Sequence, residues 1–268
     1  MQEHNDEQQP MIIGGNLTEA LAGKYHLSLG EVFKQTFTVT KSHWAPLFLG
    51  FLAFFGILLI LTLVAFNLLP EAWVNQVIPT ESNPQVGQNG LLVLSLIGSA
   101  VGAPFWGGLV LMGIRHSVDI PTKAADVFDG FSRAGALIIT LLTTSVITQL
   151  ALLLTGQIHW LISVLAQIYF SVIFAVALPW VIERGITPLN AIYYSVRIVH
   201  YKLPLFVILL FVVTGLIIIS SFAFFLPLII VVPLIFNLVG VVYKEVVGVT
   251  IKLDKTQSRD DDQTPWSA

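Results

Sequence analysis

Long apolar runs alternate with short polar ones along this chain, and the apolar runs exceed the length of ordinary soluble-core helices. A helix crossing ~30 Å of hydrocarbon needs about 20 mainly apolar residues at 1.5 Å per residue. Ala45 to Leu69 and Leu91 to Ile114 each meet that requirement. Ala136 to Ile182 is a double run broken at "TGQIH" (Thr155 to His159), and Leu203 to Tyr243 is another, with its only turn at "SSFAFFLP" (Ser220 to Pro227). The pattern predicts an all-α polytopic membrane protein with six transmembrane helices. The sixth is the least regular, because Pro227 and Pro233 fall in or near its first half and lipid cannot replace the hydrogen bond a proline removes.

The polar stretches carry a pattern of their own. In "DIPTKAADVFDGFSRAG" (Asp119 to Gly135), Val127, Phe128 and Phe131 recur at amphipathic-helix spacing, which makes them the expected anchors of a helix lying on the membrane surface. Before the first span, "SLGEVFKQTFTVTKSHWAPLF" opens on a capping box, Ser28 to Glu31. Before the fifth, "TPLNAIYYSVRIVHYKLPLF" offers Thr187 as N-cap and Pro188 at the first helical position. Both segments end in Pro-Leu-Phe, with His43 or His200 shortly before it. The expectation is three parallel repeats, each a surface helix plus a pair of spans, beginning near Leu27, Pro121 and Thr187. Residues 27–251 form the membrane domain, between a disordered N-terminal segment (1–26) and a disordered tail (252–268).

Charge supplies an independent reading of topology, since Lys and Arg near span ends accumulate on the cytoplasmic side. All 13 basic residues lie before the first span, between the second and third, between the fourth and fifth, or after the sixth. The three opposite connections hold none. Both termini are therefore expected in the cytoplasm.

Composition agrees with the span count and removes several function classes. Of 268 residues, 55% are hydrophobic and only 11% charged, with mean hydropathy +0.82, far from the usual soluble balance of about 25% charged. A net charge of -3 with scattered basic residues argues against nucleic acid. The chain has no cysteine, so thiolate chemistry does not arise. Residues 1–26 lack the basic and apolar regions of a signal peptide.

No ionisable residue is expected at the centre of a span, which lowers the case for proton-coupled transport or voltage sensing. The candidate intramembrane polar positions are Gln149, Gln167 and Asn237, supported by Thr143, Thr144, Ser145 and Thr148. Such residues either form a solute site or join helices by hydrogen bonds worth about 0.6 kcal/mol each. His43, His116 and His200 fall near the cytoplasmic interface, and none has a second histidine at metal-ligand spacing in sequence. Gly98 and Gly102, with the row Ser99, Ala103 and Gly107, are the expected helix-packing positions of the second span. Asp126 and Asp129 read as solvated or capping charges. No catalytic, cofactor-binding or metal-binding residue is assigned, and no enzyme motif occurs.

The order of "DVFDGF", a long apolar pair and "PWVIERGITPLNAIYYSVRIVHYKLPLF" resembles uncharacterised six-helix bacterial inner-membrane protein families. These are similar in layout to the membrane domain found with some glycerophosphodiester phosphodiesterases. The resemblance covers about residues 27 to 250 and implies a bacterial inner-membrane location, with no catalytic residues to transfer. The expected function is a non-enzymatic interaction or envelope-organising component whose surface helices and tail meet membrane lipid, protein partners or a second copy of the chain. The alternative is a transporter or channel for a small neutral or amphiphilic solute.

Overall fold

The computed structural model describes residues 11–68 and 86–251. Strand β1 (Met11–Ile13) and helix α1 (Leu17–Leu21) come first, followed by α2 (Leu29–Leu68) and α3 (Val86–Ser117). A 3-10 segment (Ala124–Arg133) leads into α4 (Ala134–Gly156), then α5 (Trp160–Ile173) and α6 (Ala177–Arg184). Helices α7 (Pro188–Tyr201), α8 (Leu203–Phe222) and α9 (Leu228–Val247) precede strand β2 (Val249–Ile251). Six helical stretches are long and apolar enough to cross a membrane, which makes the chain a helical multi-pass membrane protein. The expected tail, 252–268, lies outside the described residues.

Each predicted surface segment turns into its span at one distorted residue. In α2 that residue is His43, with φ -126° and ψ 24°, three positions before Pro46, whose ring would clash with the Ser42 carbonyl in a continuous helix. Arg133, ahead of α4, has φ -130° and ψ 27°. Lys202, ahead of α8, has φ -131° and ψ 32°. The three junctions thus share one backbone conformation. Thr187 stands at the N-cap of α7 with Pro188 following, as predicted, but its side chain makes no capping bond.

The middle segment departs from expectation because it is a 3-10 helix, with 3.0 residues per turn instead of 3.6. Positions three apart therefore align, which separates Val127 from the two phenylalanines. Val127 and Gly130 are buried against α3, whereas Phe128 and Phe131 form a half-exposed pair beside Phe105. The close approach is permitted by glycine: a Cβ on Gly108 would meet the Val127 carbonyl, and one on Gly130 would meet the Pro104 carbonyl. Arg115 donates to Asp129 at 2.6 Å, and Asp126 accepts from the Lys123 backbone N–H at 3.1 Å, so both acids hold the segment rather than facing bulk water alone.

The interior of the bundle is α3 and α9. In their most apolar windows 61% and 67% of residues are buried, against 17% to 22% for the other spans. Gly113 and Gly240 let the two backbones meet, each lacking a Cβ that would strike the facing helix. Helix α2 covers this pair on one side, whereas α5 and α8 lie at the periphery. The predicted packing row is partly correct. Ala103 is buried and Gly107 lies against Leu137, Gly102 makes ordinary contacts with Phe54 and Trp106, and Gly98 faces open space. The tight contacts of α3 fall nearer its other end, at Gly108 and Gly113.

Residues 11–26, expected to be disordered, are ordered. Strand β1 pairs antiparallel with β2, so the first and last described residues meet at the end of the bundle that carries the basic residues. This agrees with an even number of crossings. Asn16 caps α1 by accepting from Thr18 N–H at 2.8 Å, and the buried Tyr25 hydroxyl donates to the Ile198 carbonyl at 2.9 Å. Burial pushes the Tyr25 phenol above its ordinary range, which keeps it a donor. Glu183 locks the same corner: it accepts from Tyr243 Oη and Thr250 N–H, each at 2.8 Å. Arg184 donates to the carbonyls of Val247 and Gly248 while its guanidinium lies over Trp180.

Candidate functional site

Two of the three predicted intramembrane amides come together, and they do so in a cleft. Helix α3 contributes Ser95 and Ser99, one turn apart. Helix α4 contributes Thr144, Ser145, Thr148 and Gln149, two i, i+4 pairs on one face. Helix α5 adds Gln167, Phe170 and Ser171, again on one side, and Phe174 follows at its C-cap. The space is about 300 Å³, and among the described residues no charged side chain lines it. It opens toward the outside of the bundle at Ser95, Gln167 and Ser171, all exposed. Gln149 and Gln167 each stand seven residues from the end of their helix away from the basic residues, about 10 Å along the axis, so the cleft belongs to the half of the bundle opposite them.

Hydrogen bonding inside the cleft is largely local. Ser99 donates to the Ser95 carbonyl at 2.8 Å, Thr144 to the Thr140 carbonyl at 3.0 Å and Thr148 to the Thr144 carbonyl at 2.8 Å. With these protons committed to their own helices, the hydroxyl oxygens are left as acceptors. One contact between helices is Ser99 Oγ to Ser145 Oγ at 3.4 Å. Gln167 gives one amide N–H to Ser171 Oγ at 3.2 Å, on its own helix. Gln149 makes no hydrogen bond among the described residues, and its amide atoms are not sealed from the cleft. Neither glutamine joins two helices. The cleft therefore presents unused N–H donors beside several oxygen acceptors.

No family model, curated protein or solved structure matches this chain. The geometry itself is what bears on function.

Asn237, the third predicted amide, is elsewhere and does the opposite job. It is fully buried in α9, where its Nδ2 donates to Thr40 Oγ1 at 3.1 Å. Its Oδ1 is then the acceptor that faces His116 Nδ1 at 3.0 Å, so the imidazole carries its proton on Nδ1 and accepts at Nε2 from Thr122 Oγ1, 2.8 Å away. The network ties α2, α3 and α9 together near the basic end.

His116, read from sequence as interfacial, is fully buried, and the His43 ring stacks on it with centroids 4.6 Å apart. His43 Nδ1 is buried without a partner. Sequence spacing could not show this pair, because the two histidines sit on different helices. Among the described residues there is no group of three or more His, Cys, Asp or Glu placed to hold a metal. His200 is separate again, bonded to Tyr169 Oη at 3.0 Å.

Proposed function

We propose that this protein binds a small, uncharged, hydrogen-bonding molecule inside the bilayer, in the cleft between α3, α4 and α5, as the binding step of its transport. The observation that carries this reading is Gln149. An amide left unpaired in an apolar medium costs roughly 2–7 kcal/mol, yet its carboxamide faces the cleft with no protein partner among the described residues. Helix-joining amides look different, as Asn237 demonstrates. Among the described residues the lining carries no charge, which favours a neutral occupant, because an ion there would meet no counter-charge from them.

The location proposed is a bacterial inner membrane, with both termini and all basic connections in the cytoplasm, in keeping with the one-sided basic residues and the resemblance in layout. The three parallel repeats are proposed on the same footing, supported by the common backbone conformation of His43, Arg133 and Lys202. The reading as a non-enzymatic interaction or envelope-organising component rests on the half-exposed Phe128 and Phe131 at the basic end, where lipid, a protein partner or a second copy would dock.

Reconstitution into vesicles decides between the two. Light scattering after addition of urea or a small polyol should show faster entry than in empty vesicles, and Gln149→Leu should return the rate to that of empty vesicles without lowering the melting temperature. Entry no faster than in empty vesicles for every neutral solute tried would overturn the transport reading.

A further inference from the structure

The polar cleft has an apolar crevice beside it. Between α5, α8 and α9 lies a second space of about 170 Å³, lined almost wholly by aliphatic side chains, among them Val176, Leu209, Val213, Leu238 and Val242. Ser171 lines both spaces. Helix α5 therefore separates a hydrogen-bonding compartment from a hydrocarbon one. At the crossing the surface is low, since the exposed residues there, Ser171 near the end of α5 and Ala175 in the turn that follows it, are small. From Phe206 to Val213 and from Ile235 to Val242 the crevice walls each run about 10 Å along the helix, enough to hold a stretch of alkyl chain rather than a single small group.

We infer that the ligand of this site is an amphiphile with an uncharged, hydrogen-bonding head and a hydrocarbon chain. The head occupies the cleft beside Gln149 and Gln167, and the chain passes over Ser171 and Ala175 into the crevice. This rests on the cleft reading above and narrows it to a substrate class. Two independent features select that class. Among the described residues no Lys, Arg or His lines either space, so a phosphate or sulfate head would meet no cation there. A purely polar solute would use the cleft and leave the adjoining crevice unaccounted for, whereas a plain alkane would leave the Gln149 amide unpaired.

The test uses the full-length protein in phosphatidylcholine nanodiscs. A diazirine-bearing alkyl chain ending in a diol is photolysed with it, in parallel with the same chain ending in a sulfate, and the sites are mapped by mass spectrometry. The diol probe should label crevice residues such as Leu209 and Leu238 and be competed by unlabelled dodecanediol. The sulfate probe should label them at least about tenfold less, since an uncompensated charge in hydrocarbon costs more than that factor represents. Ala175→Phe changes an exposed position, so it should leave the melting temperature unaltered, close the crossing and reduce diol labelling to the sulfate level.

Equal labelling by the two heads, or undiminished labelling of Ala175→Phe, overturns the inference. The two readings fail separately: urea entry with head-blind labelling sinks the amphiphile alone, and head-selective labelling without urea entry supports it while sinking small-solute passage.

Discussion

His116 Nδ1 lies 3.0 Å from Asn237 Oδ1, and both side chains are fully buried. This bond joins the two most interior spans, α3 and α9, and the Asn237 amide extends it to Thr40 of α2. A predicted solute-site residue is thereby a structural one, and its chemistry can be separated from that of the cleft.

Asn237→Leu should destabilise the protein by about 2–3 kcal/mol, because it strands a buried His116 N–H rather than removing an average intramembrane bond of ~0.6 kcal/mol. Gln149→Leu should change stability by less than about 0.5 kcal/mol, since it removes no protein partner. Thermal unfolding of the two variants in one detergent checks both. Equal losses would contradict the separation of roles.

Glycine positions on α3 should divide by what faces them. Gly108→Ala forces a Cβ onto the Val127 carbonyl and should cost about 1–3 kcal/mol, the range for overpacking. Gly98→Ala meets open space and should be neutral or stabilise by up to ~1 kcal/mol through helix propensity. The comparison is read from the melting temperatures of the purified variants.

Glu183→Ala removes the acceptor for Tyr243 Oη and for the Thr250 N–H. Amide exchange in β1 and β2 should then accelerate strongly, while α3 and α9 keep their protection. Uniform acceleration throughout the bundle would mean that Glu183 supports the whole fold and not the corner where the chain ends meet.

Topology can be tested with single cysteines, as the chain has none of its own. Gln157→Cys, in the exposed turn between α4 and α5, should react with an impermeant thiol reagent in sealed cells. Ser132→Cys, exposed at the basic end, should react only after the membrane is opened. Labelling of Ser132→Cys in sealed cells would reverse the proposed orientation.

Phe128 and Val127 illustrate how far the linear pattern reached. Sequence placed both on one amphipathic face, and the segment does lie against the bundle, but its 3-10 geometry buries Val127 and leaves Phe128 half exposed. The 3.0-residue turn goes together with the approach of Gly130 to Pro104, a tertiary contact that no spacing in sequence announces.

What the sequence alone determined was the span count, and its one-sided charges are the ground for the proposed side of each connection. Hydrocarbon thickness sets a length that each run must satisfy by itself, and the charges that report topology sit in the connections, so both are local properties. It also marked Gln149 and Gln167 as unusual, because an amide is costly in lipid wherever the helix rotates it. Only the tertiary structure decided which polar residues meet. Helix rotation and neighbour choice turned Gln149 and Gln167 into one cleft with Ser95 and Ser99, gave Asn237 to His116, and paired Met11–Ile13 with Val249–Ile251 at the opposite end of the chain. A three-residue strand has too little periodicity to declare itself, and a hydrogen bond between helices leaves no fixed spacing in sequence. Such contacts exist only once the whole bundle has packed.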